Sequence, residues 1–284
     1  MKYKIDAATD QGSYRKTNQD SILTCKKEVH GETFALGVLC DGMGGLEQGD
    51  VASQMAVELF REWFGQFTFE EKSVPVKVLV LKEWKTLISN INRQIYSYSS
   101  SLPVKAKMGT TLSAILLFGG SYVIGHVGDS RVYVVNHNSI QQLTEDHSLL
   151  AKEIREGQVS SAEGRNDRKR HLLLRSVGVK DEVIPQFLSG EYDINDSFLI
   201  CSDGLWNRVE DSELQKKALL QEDGVNQLIE LARSRNEKDN ISVIKITGIN
   251  EEGISERNNQ KVLLTGALSI MVITLLIILI MIIN

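Results

Sequence analysis

Two kinds of block follow one another along the chain: near-continuous apolar runs, and stretches in which apolar residues recur at helical intervals. Residues 3–8, 21–26 and 33–40 read as strands, and the last, TFALGVLC, is apolar at nearly every position. Over residues 49–64, Val51, Ala52, Met55, Leu59, Phe60 and Trp63 fall on one helical stripe. Residues 75–99 predict a second helix, with Val76, Leu79, Val80, Trp84, Leu87, Ile88, Ile91 and Ile95 at helical spacing. In TTLSAILLFGGSYVIGHVGDSRVYVV, Gly119-Gly120 joins two apolar runs as a hairpin does, and a third strand follows Asp129. Helical signals return near 146–156, 211–220 and 223–235, with strands at 183–189, 197–202 and 241–247.

Strands joined by hairpins, with helices between the blocks, predict an α+β domain of two antiparallel β-sheets packed as a sandwich and flanked by helices. The layers would run α-β-β-α. Regular β-α-β alternation is absent, which disfavours a doubly wound parallel sheet.

Composition narrows the class. The chain has 284 residues, 42% hydrophobic and 24% charged, enough to bury a sizeable core. A formal charge of −5 argues against a nucleic-acid footprint. Cys25, Cys40 and Cys201 are odd in number and widely spaced, with no Cys-x-x-Cys pair, so they read as reduced thiols in a reducing compartment. The start, MKYKIDAATD, lacks the apolar run of a secretory signal. From Val262 to Ile283 the chain carries no charge and no polar face. As a helix this run would span about 33 Å, against a hydrocarbon core of about 30 Å. It reads as a C-terminal transmembrane helix. Three parts are therefore expected: a domain over 1–248, a polar juxtamembrane linker over 249–261 and the membrane helix over 262–283. Arg257 and Lys261 flank the helix on its N-terminal side, which favours a single-pass protein of the cell membrane with its domain facing the cytoplasm.

Acids stand at the ends of predicted strands. Asp20 follows RKTNQ, Asp41 ends one apolar run, Asp129 lies in VGDSR, Asp203 ends another run and Asp239 precedes NISVIKI. Any one Asp-Gly pair reads as an ordinary turn. Taken together, the acids suggest convergence on one cleft, which like charges cannot share without cations. Oxygen donors of this kind suit Mg²⁺ or Mn²⁺, and the lack of a His or Cys cluster disfavours zinc. Gly42 and Gly204 remove Cβ atoms beside two of the acids, allowing backbone to approach an ion. Arg15 lies close in sequence, and a guanidinium fork fits phosphate oxygens. Alone it would read as a surface cation paired with Asp10 or Asp20. The set points to metal-assisted hydrolysis of a phosphate ester, with no Ser, Cys or His nucleophile required.

DQGSYRKTNQDS, CDGMGG, MGTTLSAILL, GHVGDSRVY, QLTEDHSL, CSDGLWN and KDNISVI occur in that order. In these motifs the chain resembles the bacterial branch of the metal-dependent serine/threonine protein phosphatases of type 2C, over residues 1–247. The resemblance implies that Asp41 bridges two ions, with the Gly42 carbonyl on the second and Asp203 and Asp239 on the first. It implies that Asp20 orients metal-bound water, that Arg15 binds the substrate phosphate and that Asp129 holds a weaker third ion. Residues 147–171 fall where the family carries a mobile flap. With Arg165, Arg168, Lys169 and Arg170, this stretch reads either as a substrate-contacting loop or as a solvated one. The implied substrates are phosphoserine and phosphothreonine proteins, and the implied partner is a cognate serine/threonine kinase.

Three positions depart from the pattern. Met43 stands where the eukaryotic branch has its proposed general acid, a His, so protonation of the leaving group would fall to metal-bound water. Gln19 replaces a Glu of that branch. Asn207 replaces an acid that helps hold the third ion, which predicts a weaker third site. His147 reads as a hydrogen-bonded loop residue, Cys40 and Cys201 as core, and Trp63, Trp84 and Trp206 as core or loop braces. Two alternatives remain beside the enzyme: a catalytically silent phosphoprotein-binding scaffold on the same fold, and a metal nuclease or phosphodiesterase. The retained acids oppose the first, and the acidic balance opposes the second.

Overall fold

The computed structural model describes residues 1–44, 48–69, 74–102, 108–159 and 172–249. Within them the chain runs β1 (Lys2–Asp10), β2 (Asp20–Val29), β3 (Glu32–Gly44), α1 (Gly49–Gln66), α2 (Val76–Ser101), β4 (Met108–Thr110), β5 (Leu112–Phe118) and β6 (Ser121–Val127). It continues through β7 (Arg131–Val135), β8 (Ile140–Gln142), α3 (Leu149–Arg155), β9 (Gln186–Glu191) and β10 (Ser197–Cys201). Three helices, α4 (Asp203–Trp206), α5 (Asp211–Ala218) and α6 (Gly224–Ser234), precede the last strand, β11 (Ile241–Ile249). One sheet has the order β1-β11-β10-β7-β8 and the other β2-β3-β5-β6-β9, with β4 attached to the end of β3. Neighbouring strands are antiparallel throughout.

The side-chain alternation of β3 shows why its sequence is apolar at every position. Phe34, Leu36, Val38 and Cys40 pack with Ala52, Phe60, Trp84 and Ile88 of the helices α1 and α2. Ala35 and Leu39 point the other way, against Phe198, Ile200, Ile244 and Ile246 of the opposite sheet. A strand covered on both faces needs apolar residues on both. β10 and β11 follow the same rule, with Leu199, Cys201, Ile241 and Val243 packed under α4, α5 and α6. The order is therefore helix, sheet, sheet, helix, as the pattern predicted. Cys40 and Cys201 lie in the helix-facing layers, and all three cysteines are free thiols.

Some boundaries differ from the sequence reading for identifiable reasons. The strand expected at 183–189 begins at Gln186, because Pro185 has no N–H to give to a ladder and Ile184 is left exposed. The helix expected from 146 starts after Ser148, whose hydroxyl accepts from the Ala151 N–H and sets the first turn. β4 and β8, three residues each, carry no periodicity that a sequence could display. More consequentially, the Asp41-Gly42 pair is not a turn. β3 runs on to Gly44, leaving β2 at Asp41 and taking β4 as its new partner, with Gly42 opposite Thr110. Likewise Asp203-Gly204 opens the helix α4 rather than forming a simple turn.

Strand direction gathers the acids. Asp20 starts β2 opposite Asp41, near the end of β3. Asp129 follows β6, Asp203 follows β10 and Asp239 precedes β11. Antiparallel neighbours put all these termini at one end of the sandwich. The linker from 250 onward, the predicted membrane helix and the basic part of the expected flap (160–171) lie outside the described residues. Among the described residues no helix is long and apolar enough to cross a membrane.

Phe60 is fully buried, with its ring edge-on to Trp84 at 5.3 Å between centroids. Phe60→Ala should lower the free energy of unfolding by about 3–5 kcal/mol, read as a lower urea midpoint. The lesion lies in the helix layer, so the acid end of the sandwich should keep its structure.

Candidate active site

The acid end is assembled by short polar bonds between loops distant in sequence. Asn240 is the main joint. Its side-chain N–H donates to the carbonyls of Gln11 (2.8 Å) and Thr17 (3.1 Å), and its Oδ1 accepts from the Gln19 N–H (2.9 Å). These bonds pin the loop carrying Arg15 to the start of β11. Ser202 links the sheets: its hydroxyl donates to Asp20 Oδ2 (2.9 Å) and accepts from the Ser242 N–H (2.9 Å). Thr111 fixes Asp41 from the side, since its Oγ1 accepts the Asp41 N–H and its own N–H donates to the Asp41 carbonyl. Gly42 is required sterically, because a Cβ there would sit 2.1 Å from the Gly49 carbonyl oxygen.

The electrostatics of this end are those of crowded acids. Asp20, Asp129 and Asp203 are each less than 10% exposed, and Asp41 is half-buried. Burial pushes the Asp20 carboxyl up to about 7; Asp203 and Asp239 add to that, while hydrogen bonds from Ser242 and Ser202 oppose it. Asp41 is held well above the usual carboxylate range, first by burial and then by Asp20, Asp203, Asp129 and Asp239. Asp129 is raised too, by burial and by Asp203 and Asp146, with Arg131 opposing. Asp41 therefore feels all four of the other acids, and Asp20 and Asp129 feel some of them.

Arg15 pairs with Asp239 rather than with Asp10 or Asp20, the partners expected of it as a mere surface cation. Its guanidinium forks onto Asp239, with Nε 2.8 Å from Oδ1 and Nη2 2.5 Å from Oδ2, and both side chains keep contact with solvent. Asn207 donates to Asp203 Oδ2 at 3.3 Å. Among the described residues, no three acid, His or Cys groups enclose a cation site as they stand. Protein donors satisfy several of the oxygens instead. Two buried oxygens at this end, Asp20 Oδ1 and Asn207 Oδ1, have no hydrogen-bond partner. Orphaned buried oxygens and mutually repelling carboxylates fit a hard divalent cation, whereas the missing Cβ of Gly42 serves its close packing on the Gly49 and Gln19 backbone rather than the approach of an ion.

Other nucleophiles and proton donors are excluded by their surroundings. Burial pushes the thiol of Cys201 to about 12 and that of Cys40 higher still, so neither is a thiolate at neutral pH. His126 is lowered to about 4 by burial. Met43 offers no proton. Residues that the sequence reading passed over are the joints: Asn240 and Ser202 adjoin acids inside quoted motifs and Thr111 lies in a motif without one, and only tertiary contact reveals their partners. Trp206, read as core or brace, donates Nε1–H to the Asp129 carbonyl (3.0 Å) and lies under the Arg131 guanidinium at 3.6 Å. A separate groove of about 810 Å³ between Trp63 of α1 and Leu79 and Lys82 of α2 contains none of these acids.

A two-sheet sandwich with acids gathered at one end and a phosphate-compatible arginine beside them defines a class of metal-assisted phosphoester hydrolase. The comparisons agree. The model of the family described as Protein phosphatase 2C matches residues 13–239. The serine/threonine phosphatase stp of Listeria welshimeri is 34% identical over 243 residues, which are 84% of this chain and 93% of that protein. The serine/threonine phosphatase Stp1 from Staphylococcus aureus superposes with a TM-score of 0.78 at 30% identity, covering 88% of this chain and 96% of that one. The catalytic domain of the serine/threonine protein phosphatase PstP, solved in complex with 2 manganese ions, gives a TM-score of 0.74 at 27% identity, covering 87% and 99%. The chain belongs to the protein phosphatase 2C family and is a serine/threonine phosphatase of the bacterial type.

The raised acid at Asp20 has a consequence for stability. An unfolded Asp titrates near 3.9, so between about pH 4 and 7 the folded protein holds a proton that the unfolded chain has lost. Stability of the protein kept in EDTA should therefore fall as pH rises through that window, with Asp41 and Asp129, raised as well, adding to the decline. Calorimetric midpoints should show the decline, and Asp20→Asn should make it shallower. Midpoints that rise with pH over this range, in both proteins, would contradict the reading.

Proposed function

We propose that this phosphatase is tethered to the cell membrane by its C-terminal segment, faces the cytoplasm, and removes phosphate from phosphoserine and phosphothreonine in proteins there. In doing so it would counteract a serine/threonine kinase at the same membrane. The gathering of Asp20, Asp41, Asp129, Asp203 and Asp239 at one end of the sandwich, with Arg15 at its edge, carries the catalytic part of this reading. The tether is supported by the uncharged apolar run from Val262 to Ile283.

In this reading Asp41 and the Gly42 carbonyl, with Asp203 and Asp239, hold two Mn²⁺ or Mg²⁺ ions, and Asp129 holds a weaker third. Bound divalent cations would supply Lewis-acid polarisation of the phosphoryl group and activation of the attacking water. The chain's own residues do the rest. Arg15 offers its planar fork to the phosphate oxygens and so orients the ester. Asp20 Oδ1, buried and without a protein partner, would accept a hydrogen bond from the attacking water. Among the described residues no cysteine or histidine at this end competes as a nucleophile, so attack by water in a single displacement is the route these residues favour. The leaving seryl or threonyl oxygen takes its proton from solvent in the cleft, since Met43 cannot give one.

Two experiments test this. With Mn²⁺, the full chain should release phosphate from phosphoserine and phosphothreonine peptides, and Asp41→Asn should lower kcat by roughly a hundredfold or more while the variant still folds and melts cooperatively. No turnover by the native chain would return the scaffold alternative. Removing residues 262–284 should move the enzyme from the membrane to the soluble fraction while turnover on soluble peptides stays within about twofold, because the tether only concentrates enzyme and substrate. Loss of activity with the tether would contradict the linker reading.

A further inference from the structure

His147 is bonded on both sides of its backbone and through its ring. Its N–H donates to the Gly128 carbonyl (2.7 Å), and the Gly128 N–H returns to His147 Nδ1 (3.1 Å). On its other side the His147 carbonyl accepts from the Leu174 N–H (2.7 Å), and Leu149 N–H donates to the Leu172 carbonyl (2.8 Å). Residues 147–149 are thus a short bridge between the Gly128-Asp129 turn and the 172–174 segment. The Gly128 N–H fixes Nδ1 as the acceptor, so the remaining ring proton sits on Nε2. Arg175 Nη1, 3.4 Å from Nε2, is then a contact between two N–H groups rather than a hydrogen bond.

The turn that His147 grips cannot hold itself. Gly128 has φ +116°, and a Cβ there would lie 2.6 Å from Thr111 Cβ, so its backbone shape is available to glycine alone. On its far side the Asp129 carbonyl is taken by Trp206 Nε1. His126 stacks under His147 at 5.0 Å and is itself fixed, with Nε2 bonded to the Glu145 carbonyl and Nδ1 to Ser113 Oγ. The bridge therefore rests on a rigid buried base. The reciprocal pair between residues 128 and 147 ties down the backbone immediately before Asp129, and Trp206 holds the backbone at Asp129 itself.

We infer that His147 is a positioning residue: through the Gly128 N–H it sets the direction of the Asp129 carboxylate and thereby the affinity of the weakest metal site. This inference rests on the proposed role of Asp129 as a metal ligand. Partners that hold a ligand in place commonly change metal affinity by about 10–100-fold when lost. His147 touches neither substrate nor the reacting atoms. Its effect should appear in metal binding before it appears in chemistry.

Two polar variants separate this from a general effect on folding. In His147→Asn the side-chain oxygen can occupy the Nδ1 position and keep the bond from Gly128. In His147→Gln the polar end reaches the Nε2 position and leaves the Gly128 N–H unpaired. Manganese binding to the full chain, followed by titration calorimetry, should be near native in His147→Asn. In His147→Gln the weakest site should lose at least about tenfold in affinity, with the tighter sites unchanged. Asp129→Asn supplies the reference, and adding His147→Gln to it should weaken manganese binding no further. If Asp129→Asn leaves the number and affinity of bound ions unchanged, Asp129 is not a ligand and both readings fall. If Asp129→Asn loses the weak site while the two His147 variants bind alike, only the inference about His147 is overturned.

Discussion

Repulsion among carboxylates is the constraint on which this structure turns. Asp20, Asp41 and Asp129 are each held above the ordinary carboxylate range, and for each the charges of other acids at the same end add to the cost of burial. An assembly of that kind is costly in a folded protein unless protons, protein donors or cations offset it. In this chain two of the donors come from elements far apart in sequence, Ser202 for Asp20 and Arg15 for Asp239, while Asn207, one helical turn on, serves Asp203. What the donors leave unsatisfied, notably Asp20 Oδ1, is where a divalent ion or its water has chemical reason to enter.

The sandwich makes such crowding mechanically possible. Its two apolar faces and the layer between them fix eleven strands in register. The ends of those strands can then carry a conflict that a loop-built site could not. β3 shows how. It is locked between β2 and β5 through Leu39, then changes partner to β4 just past Asp41, so the acid sits where one ladder ends and another begins. The close approach of Gly42 to Gly49 seals the junction, and Thr111 holds the backbone of Asp41 in both directions. Stability stored in the layers is spent at the end where chemistry is needed.

Much of this was legible in the order of residues. The double burial of β3, β10 and β11 writes itself as unbroken apolar runs, and α1 and α2 show a clear stripe. The five acids and Gly42 were identifiable by their place beside such runs. The partner of Arg15 was not, because a sequence cannot reveal that residues 15 and 239, more than two hundred positions apart, meet at one edge. Nor could it show that Asp41-Gly42 continues a strand. An Asp-Gly pair after an apolar run has the local signature of a turn, and only the neighbouring β4, too short to announce itself, extends the ladder. Asn240 is of the same kind: one carboxamide tying three backbone groups, with no local pattern to mark it.

Two arginines near the acid end illustrate how environment divides a single side-chain chemistry. Arg131 is bonded through Nε and Nη2 to Asp146, lies over the Trp206 ring and is mostly buried. Releasing it would leave a charge stranded among apolar neighbours, so it is a fixture that braces the Asp129 turn. Arg15 makes an equally well-formed fork, yet its side chain is 52% exposed and that of Asp239 32%. A pair so open to water contributes about 1 kcal/mol or less, and either member can exchange partners at little cost. Carboxylate and phosphate present similar oxygens to a guanidinium. The exposure of the Arg15–Asp239 pair is therefore what makes the proposed phosphate role physically available to Arg15, while the same residue type, buried at 131, is confined to structure.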